Sequence, residues 1–324
     1  MGKEIGIFIS GIGISKIKME LSALTVVVCC NKKDFYLAKI CIASIRYFYP
    51  NITIELVKDR GNGDFNTTNL QKIFGIKLLD LGIEKMGWSG AKFHYLYSMP
   101  SGKKVLLLDA DIVFLGPFLE DILPLFKKAD YVISKDQQPN PYSNWVKDIY
   151  FDVKKINLAY PDYKYPGFFF NAGQIFVTVG AIKQEKLNQF FDKDVYPFWK
   201  KNDLFPLVDQ SVYNYLLPSL SSSGQLALET ASFMVWGNSD LVNQLSLDDI
   251  KNGAIKIGLI HWAGCYRDPL LSKMKGNDIL MFFEKFYYSK ISIGNIKYLL
   301  NVFWCQIIYG LKINFRIIKK FFFK

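Results

Sequence analysis

Leu24 to Cys30 is an unbroken apolar run rich in Val, the pattern of a strand covered on both faces. Behind it, Leu37, Ile40, Cys41, Ile45 and Phe48 recur at helical spacing, and Asp34 stands where a helix over 35–48 needs a cap. Tyr49-Pro50 ends that helix, because proline disfavours helical backbone in the residue before it. The alternation then repeats. Ile52 to Val57 reads as a strand, Asn66 to Phe74 as a helix, Ile76 to Leu81 as a strand, and Ser89 caps a helix through Tyr97. Pro100-Ser101-Gly102 turns the chain into a fourth strand, Lys104 to Leu108. Strands alternating with helices at this spacing predict an α/β sheet built from crossover units.

Beyond Asp111 the rhythm loosens. Ile112 to Leu115 and Asp130 to Ser134 read as strands around a helix from Leu119 to Lys127. Gln137 to Tyr165, rich in Pro, Asn, Asp and Tyr, reads as a long surface excursion of the kind that carries function or mobility. Gln174 to Val179 is expected as a strand, Ile182 to Phe191 and Asp209 to Leu217 as helices, and Ala254 to Trp262 as a late strand.

Composition narrows the class. Of 324 residues, 50% are hydrophobic and 16% aromatic, enough for a sizeable core, which excludes global disorder. The net charge of +11 suggests an anionic partner, and its distribution matters more than its size. From Lys285 onward there are eight Lys or Arg and no Asp or Glu, so much of the excess belongs to the tail. The rest of the chain has no dense basic-aromatic patch, so no nucleic-acid partner is expected. Five scattered cysteines without zinc spacing fit a reducing cytoplasm. Ile5 to Ile14 is apolar but short and lacks a small-residue cleavage site, so residues 1–22 read as a lead-in.

The chemistry starts at Lys104-Val-Leu-Leu-Leu-Asp109-Ala110-Asp111. An apolar strand delivers two carboxylates, and alternation puts both on one side of an extended chain. Ligands of open α/β sheets bind at the carboxyl ends of strands, and two hard oxygen donors there suit Mn²⁺ or Mg²⁺. A polar turn after a buried strand is the commoner explanation of such a triplet on its own. His261 is one of two histidines and follows the apolar stretch Ile255 to Ile260. It opens His261-Trp-Ala-Gly264-Cys-Tyr-Arg267. An imidazole there can complete a mixed metal site, Gly264 lets backbone approach a phosphate, and Arg267 can grip a pyrophosphate.

Four motifs in this order, Leu-Asp109-Ala-Asp111, Phe170-Asn171-Ala172-Gly173, Val208-Asp209-Gln210 with Asn214, and His261-x-x-Gly264-x-x-Arg267, resemble the retaining glycosyltransferases of family eight. That family includes glycogenins and bacterial lipopolysaccharide galactosyltransferases, and the resemblance covers Leu24 to Pro269. It implies a GT-A fold, a Rossmann-like mixed sheet flanked by helices, occupying residues 23–283, with a UDP-sugar as donor. It also implies Mn²⁺ (or Mg²⁺) on Asp109, Asp111 and His261. Lys92 stands where the family has a basic residue that meets the donor, and Cys30 and Asn31 where it meets the nucleoside. Asn171, Gly173 and Asp136 fall at positions that line the donor sugar, and Asp209 and Gln210 beside the transferred sugar. Two departures stand out. Arg267-Asp268-Pro269 replaces the family's Lys-Pro-Trp, and Asn31-Lys32-Lys33 replaces acidic residues after the first strand.

The implied reaction is hexose transfer to a glycan or lipid-linked saccharide with retention, in which the leaving phosphate oxygen takes the acceptor proton. An inverting transferase of the same fold and an inactive nucleotide-sugar-binding protein are the alternatives. Residues 284–324 form a helical, basic and aromatic appendage, in which Lys297, Lys312, Arg316, Lys319, Lys320 and Lys324 interleave with apolar residues. This fits an anionic membrane surface, hence a peripheral place on a cytoplasmic membrane face, or else a helix packed on the main domain. Its longest apolar stretch, Tyr298 to Leu311, is too short to span a bilayer.

Overall fold

The computed structural model describes residues 21–80, 90–135, 140–192 and 203–322, with side chains as far as 313. The strands are β1 (Thr25–Asn31), β2 (Thr53–Asp59), β3 (Lys77–Leu79), β4 (Lys104–Asp109) and β5 (Ile112–Phe114), followed by β6 (Tyr131–Lys135), β7 (Phe170–Thr178), β8 (Leu228–Ala231), β9 (Met234–Trp236) and β10 (Leu259–His261). The helices are α1 (Phe35–Phe48), α2 (Thr68–Phe74), α3 (Gly90–Ser98), α4 (Leu119–Lys128), α5 (Asn144–Ile149) and α6 (Val153–Ala159), then α7 (Gln184–Leu187), α8 (Val208–Ser222), α9 (Leu247–Lys251), α10 (Asn277–Ser289) and α11 (Gly294–Phe322).

Seven strands form one sheet in the order β3-β2-β1-β4-β7-β6-β8. The first four run parallel; β7 is antiparallel to both its neighbours, and β6 and β8 are parallel. Alternation along the central strands divides the core. Val26, Val28, Leu106 and Leu108 face the layer of α1, α4 and α10, whereas Val27, Val105 and Leu107 face that of α3 and α8. Burial on both faces is why these strands read as continuous apolar runs. A second sheet, β5-β10-β9, pairs β10 antiparallel to β5 and parallel to β9.

The sequence and the structure differ at several elements. β7 begins at Phe170, not Gln174, so the Asn-Ala-Gly motif lies inside a buried strand. The expected late strand contracts to Leu259–His261, where it finds β5 and β9 to pair with, and the helix over 182–191 contracts to the single turn of α7. Residues 140–165 are not a bare surface excursion. Ser143 and Asp152 cap α5 and α6 through their side chains, and Val146, Tyr150, Phe151, Val153 and Ile156 are buried. Frequent polar residues there serve caps and turns, while Tyr150, Phe151 and Tyr163 enter the core.

Position 284, where the appendage was expected to begin, falls inside α10, whose Phe283, Tyr287 and Tyr288 are buried. Glu284 sits between three helices. Asn301 of α11 donates to its carboxylate at 3.1 Å, and Lys39 of α1 lies nearby, over the rings of Tyr287 and Tyr288. Burial pushes the Glu284 carboxyl up to about 7 despite Lys39 and Asn301. Between the unfolded value and about 7 the native state therefore binds the extra proton, and stability falls as pH rises through that window. Glu284→Gln is accordingly expected to raise the melting temperature above pH 7 and to leave it unchanged below the ordinary carboxylate range, as read by calorimetry across pH.

Candidate active site

β1 and β4 are parallel neighbours in register, with Cys29 opposite Asp109, so both strands end at one edge of the sheet. β2 ends there too, with Asp59 opposite Asn31. The chain then turns at Ala110-Asp111 and enters the second sheet as β5. Asp109 therefore ends the strand and Asp111 lies in the turn, so the two do not share one extended stretch. β10 pairs with β5 so that His261 lies opposite Ile112, and the Trp262 N–H donates to the Asp111 carbonyl at 3.0 Å. A histidine 150 residues downstream is thereby set beside the triplet.

His261 Nε2 lies 3.1 Å from Asp111 Oδ1 and 3.7 Å from Asp109 Oδ2. The remaining carboxylate oxygens meet cations: Lys92 Nζ stands 2.7 Å from Asp109 Oδ1, and Arg267 Nη1 stands 2.7 Å from Asp111 Oδ2. One oxygen of each carboxylate thus faces the imidazole. Ligand atoms of the three residues lie within 4.8 Å of one another, and ligands about 2.1 Å from an octahedral ion stand about 3 Å apart. Two hard oxygens and an imidazole nitrogen in this spacing fit Mn²⁺ or Mg²⁺. Burial opposes ionisation of Asp111, but His261 and Arg267 outweigh it and hold the carboxyl down to about 2.

Lys92, on α3, is almost wholly buried and its ammonium is fully engaged. It reaches Asp109, Asp209 Oδ2 at 2.9 Å and the Ala172 carbonyl at 3.0 Å. It joins β4, β7 and α8, and no hydrogen is left over for a phosphate. Asp209 opens α8 and also accepts from the Gln210 N–H at 2.9 Å. Burial pushes the neighbouring Cys29 thiol up to about 12, so it stays neutral and is no nucleophile.

A hollow of about 130 Å³ is lined by Cys30, Asn31, Lys92, Asp109, Asp111, Asp209, His261, Gly264 and Arg267, all singled out from the sequence. Three others stand behind it. Gln210 uses its side-chain amide on the backbone of β7, accepting from Ala172 N at 2.8 Å and donating to the Phe170 carbonyl at 2.5 Å. Asn171 and Gly173 are buried under His261. Asp136 lies outside the described residues. Asp34 and Asp59 also line the hollow, and sequence reasoning gave neither a place in the site. Asp34 accepts from Asn31 Nδ2 at 3.0 Å and lies 3.5 Å from Arg267, supplying acidic character where Lys32-Lys33 had suggested none. The signal for Asp59 was the Asp59-Arg60-Gly61 turn at the end of β2, where Asp59 accepts from the Gly61 N–H.

Two solved structures share this architecture. The apo structure of the bifunctional glycosyltransferase WbbM superposes with a TM-score of 0.52 at 16% identity, covering 83% of this chain and 52% of that one, so this chain spans about half of that protein. The galactosyltransferase LgtC, in complex with donor and acceptor sugar analogues, superposes with a TM-score of 0.50 at 15% identity, covering 82% of this chain and 95% of that one. The fold is GT-A. This is the fold implied by the four motifs. No family model and no curated protein matches the chain in sequence.

On this GT-A frame the buried ammonium separates two carboxylates that would otherwise repel. Lys92→Met is expected to lower the unfolding free energy by about 3–5 kcal/mol, because it leaves buried charge unpaired. Denaturant titration measures this; an unchanged midpoint would show that Lys92 is not the strut described.

Proposed function

We propose that the protein is a metal-dependent retaining glycosyltransferase of family-eight type, moving a hexose from a UDP-sugar to a glycan or lipid-linked saccharide. The observation that carries this reading is the convergence of Asp109, Asp111, His261 and Arg267 at the strand ends of a GT-A sheet. A divalent ion on the Asp, Asp, His set would supply Lewis-acid stabilisation of the departing diphosphate. Arg267, which bonds Asp111 and lines the hollow, pairs with diphosphate oxygens. The hollow suits an ion and a diphosphate, being smaller than the roughly 300 Å³ of ordinary ligand pockets, so nucleoside and sugar lie along its rim. Asn31, Asp34 and Asp59 offer acceptors to ribose and base hydrogens on one side. Asp209 meets hexose hydroxyls on the other, and Lys92, locked among carboxylates, acts by charge and position.

In the reaction proposed, the acceptor oxygen attacks the anomeric carbon on the face the diphosphate leaves. The carbon–phosphate-oxygen bond breaks with its electron pair on the diphosphate, whose oxygen takes the acceptor proton. Cys29 is neutral, and both oxygens of Asp209 are engaged by Lys92 and the Gln210 N–H, which favours same-face attack over a covalent sugar–enzyme ester. A donor-hydrolysis screen of UDP-sugars with and without Mn²⁺ tests the assignment. At least one donor should turn over with Mn²⁺, and Asp111→Asn should lower the rate about 10²-fold or more. Binding without turnover favours an inactive nucleotide-sugar binder, and an inverted product anomer, read by NMR, favours the inverting alternative.

We further propose that α11 rests on an anionic membrane surface. Ile296, Leu299, Leu300, Phe303, Trp304, Ile308 and Leu311 form an exposed stripe at helical spacing, with Phe303 and Trp304 more than half exposed. Lys297 and Lys312 stand beside it, and Arg316, Lys319 and Lys320 follow in sequence, a charge pattern that favours anionic lipid over a second copy of this basic chain. No helix among the described residues is long and apolar enough to cross a membrane. The full chain should sediment with vesicles containing phosphatidylglycerol and not with purely zwitterionic ones, and Phe303→Asp with Trp304→Asp should abolish this. Self-association relieved by the same substitutions, without vesicle binding, would instead identify the stripe as a contact between copies.

A further inference from the structure

Asn171 and Gly173 are two residues apart in β7, so alternation puts them on the same face of the strand. Because Gly173 has no side chain, the His261 ring lies directly over it. A Cβ at position 173 would stand 2.1 Å from His261 Cε1 and 2.7 Å from both Asn171 Oδ1 and Asp109 Oδ2. No larger residue fits without displacing the imidazole, the amide or the carboxylate.

The hydrogen bonds then determine where the ring carries its proton. The Gly173 N–H donates to Asn171 Oδ1 at 2.7 Å. A backbone N–H can only donate, so the side-chain atom it meets is the amide oxygen. That oxygen can only accept, and it lies 2.9 Å from His261 Nδ1, so Nδ1 is the ring atom that bears hydrogen. In the neutral ring, Nε2 is left with a lone pair directed at Asp111 Oδ1 and Asp109 Oδ2. Three acceptors facing one another repel unless a cation lies among them.

We propose that Asn171 is a positioning residue that, aligned by the Gly173 N–H, fixes the Nδ1–H tautomer of His261 and so points its Nε2 lone pair at the divalent ion. This rests on the metal-site reading above, and assigns Asn171 a role through His261 in place of direct contact with the sugar. Asn171, His261 and the Gly173 backbone are buried together, while Trp236 lies parallel to the imidazole at 6.1 Å, so the ring has little freedom to turn. Outer partners of this kind, which hold the second nitrogen of a ligating histidine, are commonly worth 10- to 100-fold in metal affinity.

The test reads the tautomer and the metal affinity separately. The chain has two histidines, so His94→Gln leaves only His261 for ¹⁵N NMR of histidine-labelled protein without metal. The expected spectrum shows hydrogen on Nδ1. Asn171→Asp, which keeps the acceptor, should preserve it, and Asn171→Ala should convert it to the Nε2–H form donating to Asp111. Mn²⁺ affinity by calorimetry should fall about 10- to 100-fold in Asn171→Ala and stay near that of the parent in Asn171→Asp. A parent ring protonated at Nε2 alone overturns the proposal even if Asn171→Ala does not fold. So does an Asn171→Ala protein whose Mn²⁺ affinity is unchanged while its KM for the donor rises, which returns Asn171 to the sugar. If the tautomer responds as expected but the parent shows no Asp111-dependent Mn²⁺ binding, the positioning role stands and the metal reading fails.

Discussion

Three of the five carboxylates that line one small hollow, Asp109, Asp111 and Asp209, lie close together, and like charges cannot be held that closely without cations among them. Lys92 supplies the central one. Its ammonium touches two of the three carboxylates and a carbonyl of β7, so its charge and its three hydrogens are used at once. The strand carrying the triplet, the strand carrying Asn171 and the helix opened by Asp209 are held in one geometry by this group. Arg267 does the same for Asp111 from a half-exposed position, with Asp34 at 3.5 Å from the same nitrogen.

Around that arrangement the supporting contacts divide by layer. Gln210 and Asn214, one turn apart on α8, bond the backbone of Phe170 and Ala172, so the helix is pinned to β7 where the Asn-Ala-Gly motif lies. From the other direction, β10 holds His261 against β5 through strand pairing. Side chains that a sequence motif groups as one functional set thus do two jobs. Some face the hollow, and others hold the backbone from which the first group projects. The second group is as dependent on its spacing as the first, because an amide that bonds a strand backbone tolerates little displacement.

The far end of the molecule follows a different rule. α11 packs on α10 through Tyr298 and Asn301, and turns a stripe of large apolar residues outward. Burying that stripe elsewhere in the fold would have left its basic neighbours without water, so the helix keeps both on the outside. The titrating carboxyl of Glu284 lies at the joint where this helix meets the main body.

Local pattern alone determined most of the strands and the long helix α1, because a sheet covered on both faces writes itself as uninterrupted Val and Leu, and a helix on a core as a 3.6-residue period. It also determined that a buried strand ends at Asp109, though Asp111 lies in the turn that follows. The order of four short motifs carried the GT-A fold. Tertiary structure decided what those residues touch. Strand pairing between β5 and β10 brought His261 to the triplet across 150 residues, and no local signal encodes a pairing partner. Lys92 read as a group offered to the donor and is instead enclosed by three protein acceptors, while Gln210 is bound to backbone. Asp59 entered the site only because β2 lies beside β1. Residue type and spacing announce which chemistry is present, but burial and hydrogen bonding are properties of neighbours far apart in the chain, and these assign each residue its role.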